Sequence, residues 1–226
     1  MIPHRTALLI ALAATAIVLW DASGLDMPAA RLFGGADGFP LKGNAWIEAV
    51  LHRGMRNLSW LLWGLMVVGS VFPVGFLRRL QLAERMQLWV SVLAGLVVIS
   101  VLKRLSDTSC PWDLQAFGGT AEHVSHWAIG RRDGGGGHCF PAGHASAGFA
   151  FIGSWFALHR RLPRLARAWW WASVAAGVLL GLSQQMRGAH FMSNTLWSGW
   201  LCWTTGALID AAFQWNAGKR KIFPVH

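Results

Sequence analysis

Apolar positions gather into six runs along the chain: Thr6–Trp20, Asn57–Leu77, Met86–Leu102, Ala142–Leu158, Ala168–Met186 and Phe191–Phe213. Polar or basic stretches separate them. A helix that crosses the hydrocarbon core needs about 17–25 mostly apolar residues. By that measure the second, fifth and sixth runs are comfortable, the third and fourth adequate, and the first short. The pattern predicts an all-α polytopic membrane protein, a bundle of six transmembrane helices forming one domain over residues 1–226. Arg5 ahead of the first run also fits a signal peptide, but no clear small-x-small cleavage site follows it, so a retained span is expected.

Two longer polar segments interrupt the runs, at about 21–56 and 103–143. The Gly-, Pro- and Asp-rich beginning of the first reads as turns. Its end, Trp46–Arg56, fits a short interfacial helix with Trp46, Ile47, Val50 and Leu51 on the apolar side. Leu77–Gln87 and His159–Arg167 read as tight connections, and a small turn around Arg187–His190 joins the last two runs.

Composition supports a membrane setting: 54 % of residues are apolar and 13 % charged, against about 25 % charged in soluble domains. Fifteen tryptophans and no tyrosine suit helix ends at a lipid interface. Charge then orients the chain. The N-terminus, Leu77–Gln87, His159–Arg167 and the tail from Asn216 hold eleven basic residues against Glu84 alone, whereas the opposite side holds nine basic and eight acidic residues. Short Lys/Arg-rich loops stay in the cytoplasm. Both termini are therefore expected inside a bacterial cytoplasmic (inner) membrane, with the two long segments facing the periplasm. The basicity is an orientation signal and an attraction to membrane lipids rather than a nucleic-acid footprint.

The predicted topology brings three stretches to one depth: Lys103 with Pro111, the PAGH of Pro141–His144, and SQQMRGAHFMSN from Ser183 to Asn194. They supply a fixed cation, two imidazoles, a second cation at Arg187, and Gly143 at the mouth of a helix whose unpaired N–H groups can receive phosphate. Phosphoryl transfer needs positioning, charge neutralisation, a nucleophile and an acid for the leaving group. Gly134–Gly137 lacks the Lys-Ser/Thr ending and strand context of a nucleotide-binding loop. No C-x-x-C or H-E-x-x-H supports a metal centre, and no cofactor is implied. A transporter is disfavoured because Asp210 is the one charge near the interior of a run. His123, His126 and His138 read as loop residues.

In span layout and motif order, the chain resembles the type 2 phosphatidic acid phosphatases, the integral-membrane members of the PAP2 superfamily. That family's first motif is Lys, six residues, Arg-Pro. Lys103 and Pro111 keep the spacing, with Cys110 in place of arginine. The second, Pro-Ser-Gly-His, is matched by Pro141, Gly143 and His144, with Ala142 in place of serine. The third is Ser-Arg, five residues, His, three residues, Asp. Ser183 and His190 fit it, while Gln184 and Asn194 replace the arginine and aspartate.

The resemblance implies a metal-independent lipid phosphatase acting at the periplasmic face. His190 would be the nucleophile that forms a phosphohistidine, and His144 would protonate the leaving oxygen and then activate water. Asn194 would orient the nucleophile. Lys103, Gly143, Arg187, Gln184 and Ser183 would hold phosphate, with Arg187 the replacement for a missing arginine. Candidate substrates are undecaprenyl pyrophosphate, phosphatidic acid, phosphatidylglycerol phosphate and a lipid A phosphate. The departures remove planar donors and a carboxylate. They fit a divergent phosphatase with its own clamp, a lipid-to-lipid phosphotransferase, or a weakly active or inactive lipid-phosphate-binding member. Because the first two motifs converge on one phosphate, a Cys110–Cys139 disulfide is also expected on the oxidising side, leaving Cys202 free.

Overall fold

The structure, a computed structural model, describes residues 2–222, with side chains throughout except at position 52 and from 217 onward. The basic cluster at 219–221 counted above therefore lies outside the described side chains. Helices α1 (His4–Ser23) and α2 (Asp26–Arg31) lead through a turn-rich segment and a π-helical stretch, Ile47–Gly54, into α3 (Met55–Val71). Then come α4 (Leu82–Leu105), α5 (Gly143–Phe149), α6 (Trp155–Leu158), α7 (Pro163–Met186) and α8 (Met192–Ile222).

Local chemistry sets these ends. Gly24, at a φ of 68°, closes α1 with an N–H to the Asp21 carbonyl. A capping box of Gln81 and Glu84 starts α4, giving two otherwise orphaned groups a partner. Pro163 opens α7 from the first helical turn, where its missing N–H costs nothing.

The expected count of six spanning helices is corrected here. Among the described residues, three helices are long and apolar enough to cross a membrane: α1, α4 and α7. The second run falls short because its helix has 17 residues and unwinds at Phe72, ahead of Pro73; a residue before proline is pushed out of the α region. The fourth run is assembled from α5, a 3₁₀ segment at Ala150–Ser154, and α6. The sixth lies within α8, which is long but diluted by Ser193, Asn194, Thr195, Ser198, Thr204, Thr205 and Asp210. Several of these, including Ser193, Thr195 and Ser198, are buried. The fold is thus an all-α polytopic membrane bundle in which the apolar α5–α6 segment and α8, with its buried polar residues, are inner elements.

Exposed Leu8, Leu9, Leu12 and Leu19 cover α1, and its other side rests on α8, where the Trp200 indole donates to the Ile10 carbonyl at 2.9 Å. Leu88, Val92 and Ile99 of α4 pack with Ala145, Phe149, Ala150 and Cys202 in the main core. At the end that holds the Arg-rich connection, Arg160 places one guanidinium nitrogen 2.6 and 2.7 Å from the two Asp210 oxygens. Gln87 donates to the same carboxylate at 2.8 Å. At the opposite end a smaller core of Phe39, Leu114, Phe117 and Phe191 joins the two long polar segments over the α7–α8 turn.

Candidate active site

The long segment after α4 folds back as a strap. The His138 N–H meets the Ser106 carbonyl at 2.8 Å and the Cys139 N–H meets the Thr108 carbonyl at 3.0 Å. Asp133 accepts from the Ser109 backbone and hydroxyl and from the Gly135 N–H. The glycine run serves this close approach: a Cβ on Gly135 would lie 2.2 Å from the Ser109 hydroxyl oxygen. Cys110 and Cys139 are joined as a disulfide across a Cα separation of 5.1 Å. The strap therefore ties the end of α4 to the start of α5.

The third stretch is bound to both. The Trp112 N–H meets the Gly188 carbonyl at 2.9 Å, and the Ala142 N–H meets the Asn194 carbonyl at 3.1 Å. Ser198 of α8 donates toward the Ala142 and Asn194 carbonyls. Gly188 has a φ of +74°, and a Cβ there would meet Phe39 at 2.3 Å, so the tight turn before His190 needs glycine. Asp26 of α2 accepts from the Ser193 N–H and hydroxyl at the start of α8, and from the Trp20 indole.

Lys103, Gly143 and His144 border a cavity of about 190 Å³ together with Leu51, Arg56 and Ala147. The Lys103 side chain crosses the face of Gly143; a Cβ there would sit 3.6 Å from Nζ. His190 lies beneath, 1 % exposed, its ring centroid 5.7 Å from that of His144. Burial, then the charge of Lys103 and the neighbouring His144, hold the His190 imidazole well below its ordinary pKa; a hydrogen bond to the Cys139 backbone carbonyl acts the other way. Burial and the two neighbouring charges thus favour the neutral ring, and the Cys139 carbonyl orients it.

The remaining predicted residues surround this centre. Asn194 is buried and donates to the Cys139 carbonyl at 3.1 Å, the acceptor that also holds His190. Arg187, 6 % exposed, directs Nε and one Nη to the Lys42 carbonyl at 3.2 and 3.0 Å, and its other Nη to Gln184 at 3.4 Å. Its fork thus clamps the first long polar segment to the third motif. Ser183 donates to the Leu180 carbonyl at 2.7 Å, and Gln184 donates to the Ser183 hydroxyl at 3.4 Å. Cys202 is free and buried. His126 stacks on Phe140 with ring centroids 4.1 Å apart and lies 3.3 Å from Asp21. Burial pushes its pKa down and Asp21 pushes it back.

Arg56 is the cavity residue that motif reasoning missed. Its available signal was a cation in the first turn of an apolar run on the side shared with Lys103. One group of potential metal ligands occurs among the described residues, the Cys110, Cys139 and His190 atoms. The two sulfurs are bonded to each other, so they are not the thiolates that a metal requires, and the donor set does not fit one.

The fold is similar to the crystal structure of a transmembrane PAP2-type phosphatidylglycerolphosphate phosphatase from Bacillus subtilis. The match has a TM-score of 0.52 at 18 % identity and covers 100 % of this chain and 99 % of that one. No curated protein matches the chain at a significant level. The model of the PAP2 superfamily matches residues 85–217, a span that holds Lys103, His144 and His190 and more than half of the sequence. On that match, with the three motifs gathered at one end of the bundle, the chain belongs to the PAP2 superfamily.

Proposed function

We propose that the protein hydrolyses a lipid phosphate or pyrophosphate at the periplasmic face of a bacterial inner membrane, as a single membrane-embedded unit and without a metal. The observation that carries this reading is the cavity bounded by Lys103, Gly143 and His144 with His190 directly behind it. Lys103 and the backbone at Gly143 draw in the phosphate oxygens. His190 attacks phosphorus through the ring nitrogen not bonded to the Cys139 carbonyl and forms a phosphohistidine. His144 delivers a proton to the departing oxygen, then takes one from the water that cleaves the N–P bond. Asn194, Ser183, Gln184 and Arg187 act as positioning residues, a role supported by their buried hydrogen bonds.

A lipid substrate is supported by an apolar groove of about 280 Å³ between α3, α5 and α7, lined by Met55, Leu58, Leu62, Phe151 and Trp169 among others. It shares Ala147 with the cavity that holds Lys103 and His144, so an amphiphile can span both. Orientation follows from charge. Helix α7 runs from Arg164 and Arg167 toward the site, α4 runs from Arg85 to Lys103, and α8 runs from Ser193 at the site toward Asp210. On this reading the start of α1 and the far end of α8 face the Arg-rich, cytoplasmic side.

The test is phosphate release by purified protein in detergent with chelator present. Undecaprenyl pyrophosphate, phosphatidic acid, phosphatidylglycerol phosphate and a lipid A phosphate form the panel. Release of inorganic phosphate from at least one is expected. Silence across the panel overturns the reading, and labelled phosphate recovered on a second lipid replaces hydrolysis with transfer.

A further inference from the structure

We propose that Arg56 is a substrate-phosphate-binding residue, the second cation of the cavity, doing from α3 what the superfamily's first-motif arginine would do from the position held here by Cys110. This rests on the reading of the cavity as a phosphate site. Cys110 offers no donor, because its sulfur is tied to Cys139. Arg187 does not fill the gap either, since its nitrogens face the Lys42 carbonyl and Gln184. Arg56 does line the cavity, beside Lys103, Gly143 and His144. It lies outside residues 85–217, the part matched by the superfamily.

Its position is set by packing. The Ser59 hydroxyl reaches the Ala147 carbonyl at 2.7 Å and is buried between α3 and α5. Arg56 precedes Ser59 by three residues, and His144 precedes Ala147 by three. Positions three apart lie on the same helical face. Both helices start at the cavity end, and side chains lean toward a helix N-terminus. The same contact therefore brings Arg56 and His144 to one mouth.

Charge gives the pair a ligand class. Among the described residues, neither Lys103 nor Arg56 is ion-paired to a carboxylate. Two cations on one cavity repel each other until an anion enters. A phosphate monoester carries a charge of about −1.5 to −2 near neutral pH, and a guanidinium can take two of its oxygens at once. The fork also separates arginine from lysine at this position.

The experiment measures inorganic phosphate binding to purified protein in detergent by calorimetry, together with KM and kcat on whichever panel lipid is turned over. Arg56→Ala is expected to weaken phosphate binding about 10-fold or more, as for a lost charge-assisted hydrogen bond, and to raise KM. Arg56→Lys should recover only part of the loss. Arg53→Ala is the control: Arg53 and Arg56 are both exposed, but of the two only Arg56 lines the cavity. Binding unchanged in Arg56→Ala overturns the proposal, as does an equal loss in Arg53→Ala, which would mean diffuse charge. Calorimetry reads the site without turnover, so an inactive wild type whose phosphate affinity depends on Arg56 supports this inference while defeating the hydrolase reading.

Discussion

Two pairs of cations, one at each end of the bundle, are held in opposite ways. At the Arg-rich end, Arg160 grips both oxygens of Asp210 with Gln87 alongside, and Arg161 meets Glu84 at 2.8 Å. At the other end Lys103 and Arg56 border a cavity, and among the described residues no carboxylate neutralises them. Cations paired with carboxylates serve the architecture; on the proposal above, the cations that face the cavity await an anion. Arg187 belongs with the first group despite its place in the third motif, since the Lys42 backbone carbonyl of the first long polar segment takes its fork.

The largest effect that would break this contrast concerns His190. His190→Gln keeps much of the side-chain volume but removes the nucleophile. Phosphate release should fall by at least about 10³-fold, within the range seen when a catalytic nucleophile is lost, with the melting temperature near that of the parent. A collapse in melting temperature instead would make His190 architectural.

Removing the tie at the site end sharpens the contrast. The bridge between Cys110 and Cys139 spans 29 residues, a closure worth about 3–4 kcal/mol on a chain-entropy account. Replacing both cysteines with serine should lower stability toward denaturant by up to that amount and depress turnover, because Lys103 and His144 lose their registration. Unchanged turnover would show that the strap's hydrogen bonds suffice.

The smallest effect lies at the far end. Asp210→Ala leaves Arg160 without its carboxylate. Breaking a fully buried pair costs about 3–5 kcal/mol. Arg160 is 31 % exposed, so solvent reduces the loss to roughly 2–3 kcal/mol. Denaturant unfolding should register it, while KM and kcat of the folded variant stay near parent values. A selective fall in kcat would mean that the two ends are coupled.

Much of this was legible in the sequence, for reasons of range. Lys103, His144 and His190 sit in short spaced motifs, so local pattern sufficed to single them out. The membrane class followed from unbroken apolar runs. The count of spans did not, because it depends on Pro73 stopping α3, on the 3₁₀ segment inside 142–158, and on polar residues that α8 buries against its neighbours. Arg56 was hidden for a related reason: its approach to His144 is carried by a contact between Ser59 and Ala147, 88 positions apart. The partners of Asn194 and Arg187 are likewise backbone carbonyls at Cys139 and Lys42, and no side-chain pattern announces a carbonyl.

The meeting of the first and last helices has a consequence for biosynthesis. Asp21 accepts from the Trp197 indole at 2.9 Å, and Asp26 holds the start of α8 through Ser193. Synthesis proceeds from the N-terminus, so α1 and α2 must wait for nearly the whole chain before these bonds can close. A ribosome-bound intermediate that ends after α7 already carries Lys103, His144 and Arg56, yet it has neither Ser193 to satisfy Asp26 nor Asn194 to meet Ala142. Maturation of the site is thus a late event, gated by insertion of the final helix, and a stalled or truncated chain leaves the ribosome with its charges in place and its chemistry unassembled.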